Sequence, residues 1–285
     1  MKQIQWFPGH MQKAKREIKE KLPLVDIVYE MLDARVPFSS RNPEVSSIIG
    51  NKPKLVLLNK ASLSVKDETD RWINYFVSQG ERCLAIDSID LSNVSKIIKM
   101  TKEILRDKVN KNLEKGMKKQ AFRALIIGIP NSGKSTLINS LAKRKAAVTG
   151  DKPGVTKSNL WVKATDELLI LDTPGILWPK FEDLRCAMNL ALSGAIKDDV
   201  LPLDDVAIHG FKYVDKYHHD EFVERYKLKD YTFDDVLTIY DQIALLRGCR
   251  KNGKTDYHKV NQIFLNELRS GVFGGVSFDR TSELI

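Results

Sequence analysis

Gly128-Ile129-Pro130-Asn131-Ser132-Gly133-Lys134-Ser135 is the stretch on which the reading of this chain turns. It meets the spacing G-x-x-x-x-G-K-[ST] at every fixed position. The apolar run Ala124-Leu125-Ile126-Ile127 precedes it, and the helical pattern Thr136 to Leu141 follows. Strand, glycine-rich turn and helix, in that order, are the context in which this spacing cradles phosphate. Glycines let backbone N–H groups converge on phosphate oxygens, and the helix N-terminus adds partial positive charge. In such a loop Lys134 neutralises the β- and γ-phosphates and the Ser135 hydroxyl ligates Mg²⁺, with Asn131, Ser132, Gly133 and Thr136 lining the same turn.

Working outward, three earlier apolar runs end in polar residues. Leu24 to Leu32 ends in Asp33-Ala34-Arg35-Val36-Pro37, Lys54 to Leu58 in Asn59-Lys60, and Arg82 to Ile86 in Asp87-Ser88. Helical patterns such as Glu68 to Gln79 lie between them. Two further strands are expected near Leu160–Ala164 and Leu168–Leu171. Strands that are apolar along their whole length and alternate with helices predict an α/β fold, a mostly parallel sheet with helices on both faces. Ligands bind such sheets at the carboxyl edge. Apolar spacing from Val94 to Val109 predicts one helix, and Asn110 to Gln120 reads as a solvated linker. From Glu182 onward only helical periodicity remains, at Leu184–Ile196, Leu203–Tyr217, Asp220–Tyr226, Phe233–Leu246 and Tyr257–Glu267. The expected division is a basic N-terminal segment (1–22), a nucleotide domain (23–180) and a small all-helical domain (181–285).

More motifs flank the phosphate loop. Asp172-Thr173-Pro174-Gly175 follows the last strand. There Asp172 is placed to hold Mg²⁺, directly or through water, and the Gly175 N–H to sense a γ-phosphate. Thr156, in Lys152-Pro153-Gly154-Val155-Thr156, is placed to close over the metal. Upstream, Asn59-Lys60-Ala61-Ser62 resembles the guanine-reading N-K-x-D motif of GTPases. Asn59 would meet the ring edge and the Lys60 stem would lie over the base. Asp87-Ser88 resembles the loop that caps the base from the other side. Ordinary GTPases run from phosphate motif to base motif. Here the order is base motif, capping loop, phosphate loop, switch threonine, D-T-P-G, which is a circular permutation of the GTPase order. Ser62 stands where the motif has Asp. A hydroxyl is short and uncharged, and hydrogen bonds to charged groups are worth about twice those between neutral groups. The motif therefore predicts weakened guanine reading, compensated by Ser64 or a water if at all, and tighter GTP binding by Ser62→Asp.

With these motifs in hand, the chain resembles the YlqF/RbgA family, the ribosome biogenesis GTPase A group, over nearly its whole length. Trp6-Phe7-Pro8-Gly9-His10-Met11, Asp33-Ala34-Arg35 and Gly175-Ile176-Leu177-Trp178-Pro179 add to the likeness. The resemblance implies a GTPase that binds the large (50S) ribosomal subunit, its rRNA and proteins, late in assembly and hydrolyses GTP to GDP there, stimulated by the particle. Many GTPases orient the attacking water with a glutamine after the D-x-x-G glycine. Ile176 cannot do so. The resemblance points instead to His10, whose neutral imidazole suits that task near pH 7; capping the following helix or touching RNA are the other readings of His10. Asn131 resembles the asparagine that supports K⁺ in some GTPases. A monovalent cation there would stabilise charge much as an arginine finger does. The permuted order also runs Asp172–Trp178 straight into the helical domain, where a γ-phosphate signal would arrive directly.

Composition agrees with this reading. The chain has 285 residues and a formal net charge of +9, enough for about two domains on a soft prior. Residues 200–285 carry 12 Lys+Arg against 14 Asp+Glu, so the other 199 residues carry the whole excess, +11. It concentrates at Lys13–Lys21 and Lys96–Arg123, which favours a polyanionic partner. Three scattered cysteines exclude a disulfide framework. No apolar run approaches the ~18–20 residues of a membrane span. No secretory or lipidation signal is read. A cytoplasmic, monomeric protein without a membrane partner is expected. The other reading left open is a P-loop NTPase serving as a protein-binding or membrane-surface switch.

Overall fold

The computed structural model describes residues 16–116, 120–141, 161–171 and 183–285. Helix α1 (described over 16–21) leads into β1 (Ile27–Asp33), α2 (Glu44–Ile49), β2 (Lys54–Asn59), α3 (Lys66–Ser78) and β3 (Cys83–Ala85). Helices α4 (Ser92–Ile104) and α5 (Arg106–Glu114) then return the chain to β4 (Phe122–Gly128) and α6 (Lys134–Leu141), and β5 (Trp161–Thr165) and β6 (Leu168–Leu171) complete the sheet. The strand order is β3-β2-β1-β4-β6-β5, and β5 alone runs antiparallel, at the edge. All seven residues of β1 are buried, as expected for a central strand covered on both faces.

Period-two alternation divides the core. Ile27, Tyr29 and Met31 join Leu55, Leu57, Ala124 and Ile126 under Ile97 of α4 and Leu137 and Ile138 of α6. The opposite face sets Val28, Leu125 and Ile127 against Ile18 of α1 and Ile48 and Ile49 of α2. Leu32, Val56 and Leu58 lie beneath Trp72 and Phe76 of α3.

The C-terminal part contains α7 (Leu184–Ser193), α8 (Leu203–Tyr217), α9 (His219–Tyr226), α10 (Val236–Arg247), α11 (Tyr257–Arg269) and the short α12 (Thr281–Leu284). Phe211, Phe222, Tyr226, Phe264 and Phe273 form its centre, with the Phe211 and Phe264 rings 4.4 Å apart.

Local structure differs from expectation in two places. The single helix from Val94 to Val109 is two. The chain bends at Leu105 (φ −95°, ψ 11°), whose side chain is pulled into the sheet core. Beyond the bend, α5 buries none of its residues and continues to Glu114 through the stretch read as linker. The C-terminal part is helical as expected, with one addition, a hairpin of β7 (Arg250–Lys251) and β8 (Lys254–Thr255). Asn252 and Gly253 turn it, both at positive φ (52° and 76°), the backbone that favours an Asn-Gly two-residue turn. Two-residue strands are too short to show a period.

The two parts share buried contacts. Val36 and Ile129 are buried within the helical core. Arg35, 1% exposed, grips Asp33 with Nε to Oδ1 (2.9 Å) and Nη2 to Oδ2 (2.7 Å). The same guanidinium donates to the carbonyls of Ser193 (2.7 Å) and Arg269 (3.3 Å), at the ends of α7 and α11. Residues 276–281 then run back along the sheet domain. Val276 N–H donates to Leu63 O, Phe278 N–H to Arg35 O, and Trp72 Nε1–H to Asp279 O. Asp279 accepts from Ser39 and Asn189; burial nevertheless pushes its carboxyl up. Replacing Arg35 by Met keeps much of the volume but takes the guanidinium from a buried carboxylate and from two carbonyls. It should lower unfolding stability by about 3–5 kcal/mol, the cost of breaking a buried pair from one side, read as a fall in the urea midpoint.

Candidate nucleotide site

Register brings the polar strand ends together. Asp33 pairs with Asn59, Leu58 with Ala85, and Met31 with Gly128. The loops after β1, β2, β3 and β4 therefore meet at one carboxyl edge, where open α/β sheets hold ligands.

Asn59 is the brace among them. Its Nδ2 donates to Ser132 O in the phosphate loop (2.7 Å). Its Oδ1 accepts from the backbone N–H and the hydroxyl of Ser88, both at 2.8 Å. The side chain is buried, at 2% exposure. Asn59 thus clamps the phosphate loop to the capping loop. Gly133 is fitted against that clamp: at φ 96°, a Cβ there would lie 2.2 Å from Asn59 Nδ2.

The other loop residues lie close by. Lys134 is buried, and its Nζ donates to the carbonyls of Gly128 (3.1 Å) and Ile129 (2.7 Å). Ser132 Oγ donates to Ile129 O (2.9 Å). Ser135 and Thr136 occupy the first turn of α6, with Ser135 half-buried and Thr136 exposed. Asn131, at φ 56°, donates from Nδ2 to Gly194 O at the end of α7 (3.0 Å). The residue read as a K⁺ support thus also touches the helical part.

On the base side, Lys60 adopts a left-handed backbone (φ 61°), and its Nζ donates to Asp33 Oδ2 (2.9 Å). Burial opposes ionisation of Asp33, yet Arg35 and Lys60 outweigh it and bring the carboxyl down to about 2. Ser62 is exposed and lies against Asp87. Its Oγ donates to Oδ1 (2.9 Å), and its N–H faces both carboxylate oxygens at 3.2 Å. Ser64 is buried and bonded to Ala34 O and Ser277, so it is not placed to stand in for Ser62. His10, Thr156, Asp172 and Gly175 lie outside the described residues.

The sequence showed Asp33 and Arg35 only as a motif after a strand. Their roles, holding Lys60 and gripping the helical part, depend on residues 27, 158 and 234 positions away in the chain. A charged pair at a strand's carboxyl end was the available signal.

A strand-led glycine loop, clamped by Asn59 to a base-side loop supplied from earlier in the chain, defines a circularly permuted P-loop GTPase. Comparisons with known proteins place it further. The model of the 50S ribosome-binding GTPase family matches residues 123–239. Ribosome biogenesis GTPase A of Bacillus pumilus is 49% identical over 97% of this chain and 98% of that protein. A GDP-bound structure of TM YlqF superposes with a TM-score of 0.65 at 27% identity, over 94% of this chain and all of that one. GNP-bound YlqF from T. maritima gives 0.64 at 28%, over 94% and 98%. The chain belongs to the ribosome biogenesis GTPase A family.

Substituting Ala for Gly133 forces a Cβ into Asn59 from a backbone that L residues rarely adopt. Guanine-nucleotide affinity should fall at least tenfold in a calorimetric titration.

Proposed function

We propose that this GTPase of ribosome biogenesis binds GTP at the carboxyl edge of its sheet and hydrolyses it while engaged with the large ribosomal subunit, late in that particle's assembly. The observation that carries the reading is the Asn59 clamp, which joins the phosphate and base halves of one nucleotide site although the base half comes first in the permuted motif order. Family membership supplies the ribosomal context.

The residue roles follow from chemistry. Lys134 exchanges its loop carbonyls for β- and γ-phosphate oxygens and neutralises charge that grows as the γ-phosphoryl group leaves. Backbone N–H groups from Asn131 to Ser135 hold the same oxygens. Ser135, Thr156 and Asp172 would each offer an oxygen donor, the chemistry that suits Mg²⁺. When bound, that ion supplies further charge neutralisation between the β- and γ-phosphates. Gly175 reports the γ-phosphate through its N–H. His10 orients the attacking water, since Ile176 has no polar group to do it. Asn131 keeps its side-chain oxygen for K⁺ while its amide nitrogen holds Gly194 O. The basic stretches at 13–21 and 96–123 face a polyanionic particle. Among the described residues no helix is long and apolar enough to cross a membrane. The protein works in the cytoplasm, as a monomer.

Adding purified large subunits should raise the GTP turnover rate; an unchanged rate would remove the ribosome-stimulated reading. In the same assay His10→Ala should lose most of that stimulation, roughly a hundredfold for a positioned general base, with GTP affinity unaltered. Near-normal stimulated turnover would rule His10 out. Exchanging K⁺ for Na⁺ should slow the unaltered enzyme and leave Asn131→Ala indifferent; equal rates in both salts would leave Asn131 without a cation.

A further inference from the structure

Guanine differs from adenine at the edge that carries N1–H and the 2-amino group. Both are donors, so a site that selects guanine needs an acceptor there, and a carboxylate is the strongest one available. The fourth residue of the base motif would normally supply it, but this chain has Ser62. Ser62 is a poor substitute, because its hydroxyl is short and uncharged and cannot serve both donors; it donates instead to Asp87 Oδ1 at 2.9 Å.

That hydrogen bond locates a carboxylate at the required place. The N–H of Ser62 lies 3.2 Å from each Asp87 oxygen, so both carboxylate oxygens sit within one hydrogen bond of position 62. An ionised carboxylate has about four lone-pair sites, and the two donors of Ser62 leave room for two more. Asp87 is half-exposed, so it remains accessible from solvent. Its loop is held on three sides. Ala61 N–H donates to Ile86 O (3.1 Å), Asn93 Nδ2 donates to Asp87 O (3.0 Å), and Asn59 clamps Ser88. A carboxylate so restrained loses little freedom on binding.

We infer that Asp87 is the guanine-specifying residue of this chain. Its carboxylate accepts N1–H and one 2-amino hydrogen, and Ser62 positions it. The inference rests on the nucleotide site proposed above and goes beyond it in naming the selecting group. It also reverses what the motif alone suggests for Ser62→Asp. A second carboxylate against Asp87 repels the first, so that variant should not tighten GTP binding.

The test is calorimetric binding of GDP, IDP, XDP and ADP to the full chain. IDP lacks the 2-amino group, and XDP carries a carbonyl in its place. The unaltered protein should favour GDP over IDP roughly ten- to hundredfold, the range for a hydrogen bond to a charged acceptor. In Asp87→Ala that gap should close. Asp87→Asn should shift preference from GDP toward XDP, because the amide N–H can donate to the 2-carbonyl. The exchange variant Ser62→Asp/Asp87→Ser should keep guanine preference. The inference is overturned if Asp87→Asn leaves GDP preferred or weakens GDP and XDP alike, or if Asp87→Ala keeps the GDP–IDP gap. Failure of the underlying site looks different: the unaltered protein would bind ADP as well as GDP, or Lys134→Ala would bind GDP undiminished, and the inference would fall with it.

Discussion

The buried ion pair between Asp33 and Arg35 is the interaction on which the arrangement of this molecule depends. Both side chains are nearly inaccessible, at 2% each. A pair taken out of water adds little net stability over a well-packed apolar one, but it tolerates few geometries, because every remaining donor and lone pair must be matched. Here the matches reach in three directions. Asp33 holds Lys60 of the base motif, and Arg35 holds the ends of α7 and α11. Arg269 reinforces the junction by donating to Ala191 O and Leu192 O and pairing with Asp198. The lowered pKa of Asp33 is the electrostatic record of this cage. Its stabilising effect is present above the usual carboxylate range and disappears as pH falls toward about 2.

From that pair the nucleotide edge and the helical part are continuous. Asn59 joins the phosphate loop to the capping loop, and Asn131 joins the phosphate loop to the end of α7. The returning segment 276–281 bonds to Leu63, just beyond Ser62, and to Ser64 through Ser277. Residues 276–281 therefore brace the loop that carries Ser62. Circular permutation makes this possible. The base-side strands come first, and everything after the phosphate loop is available to pack back on them.

Much of this was legible in the sequence. The phosphate loop is a local device, set by glycines and a lysine at fixed spacing between a strand and a helix, so it can be read without neighbours. The buried strands announce themselves as unbroken apolar runs, since a central parallel strand has no face to show water. Other features were not legible. Leu105 breaks a helix because the sheet core draws its side chain in, and helical periodicity carries no mark of that pull. The hairpin at 250–255 is too short for periodicity to reveal it. Asn59 turns inward because Ser88 and Ser132 are within reach only once β3, β2, β1 and β4 are assembled in one sheet.

The sequence by itself determined the chemistry and the order of its parts: a phosphate loop, a base motif placed before it, and a helical tail after it. These rest on residue type and short-range spacing, which the covalent chain carries directly. Tertiary structure alone decided the partners. Which carbonyls Arg35 satisfies, which loop Asn59 clamps and which carboxylate meets Ser62 are settled by strand register and helix docking. Those place residues dozens to hundreds of positions apart within a hydrogen bond of each other, a distance no local pattern encodes.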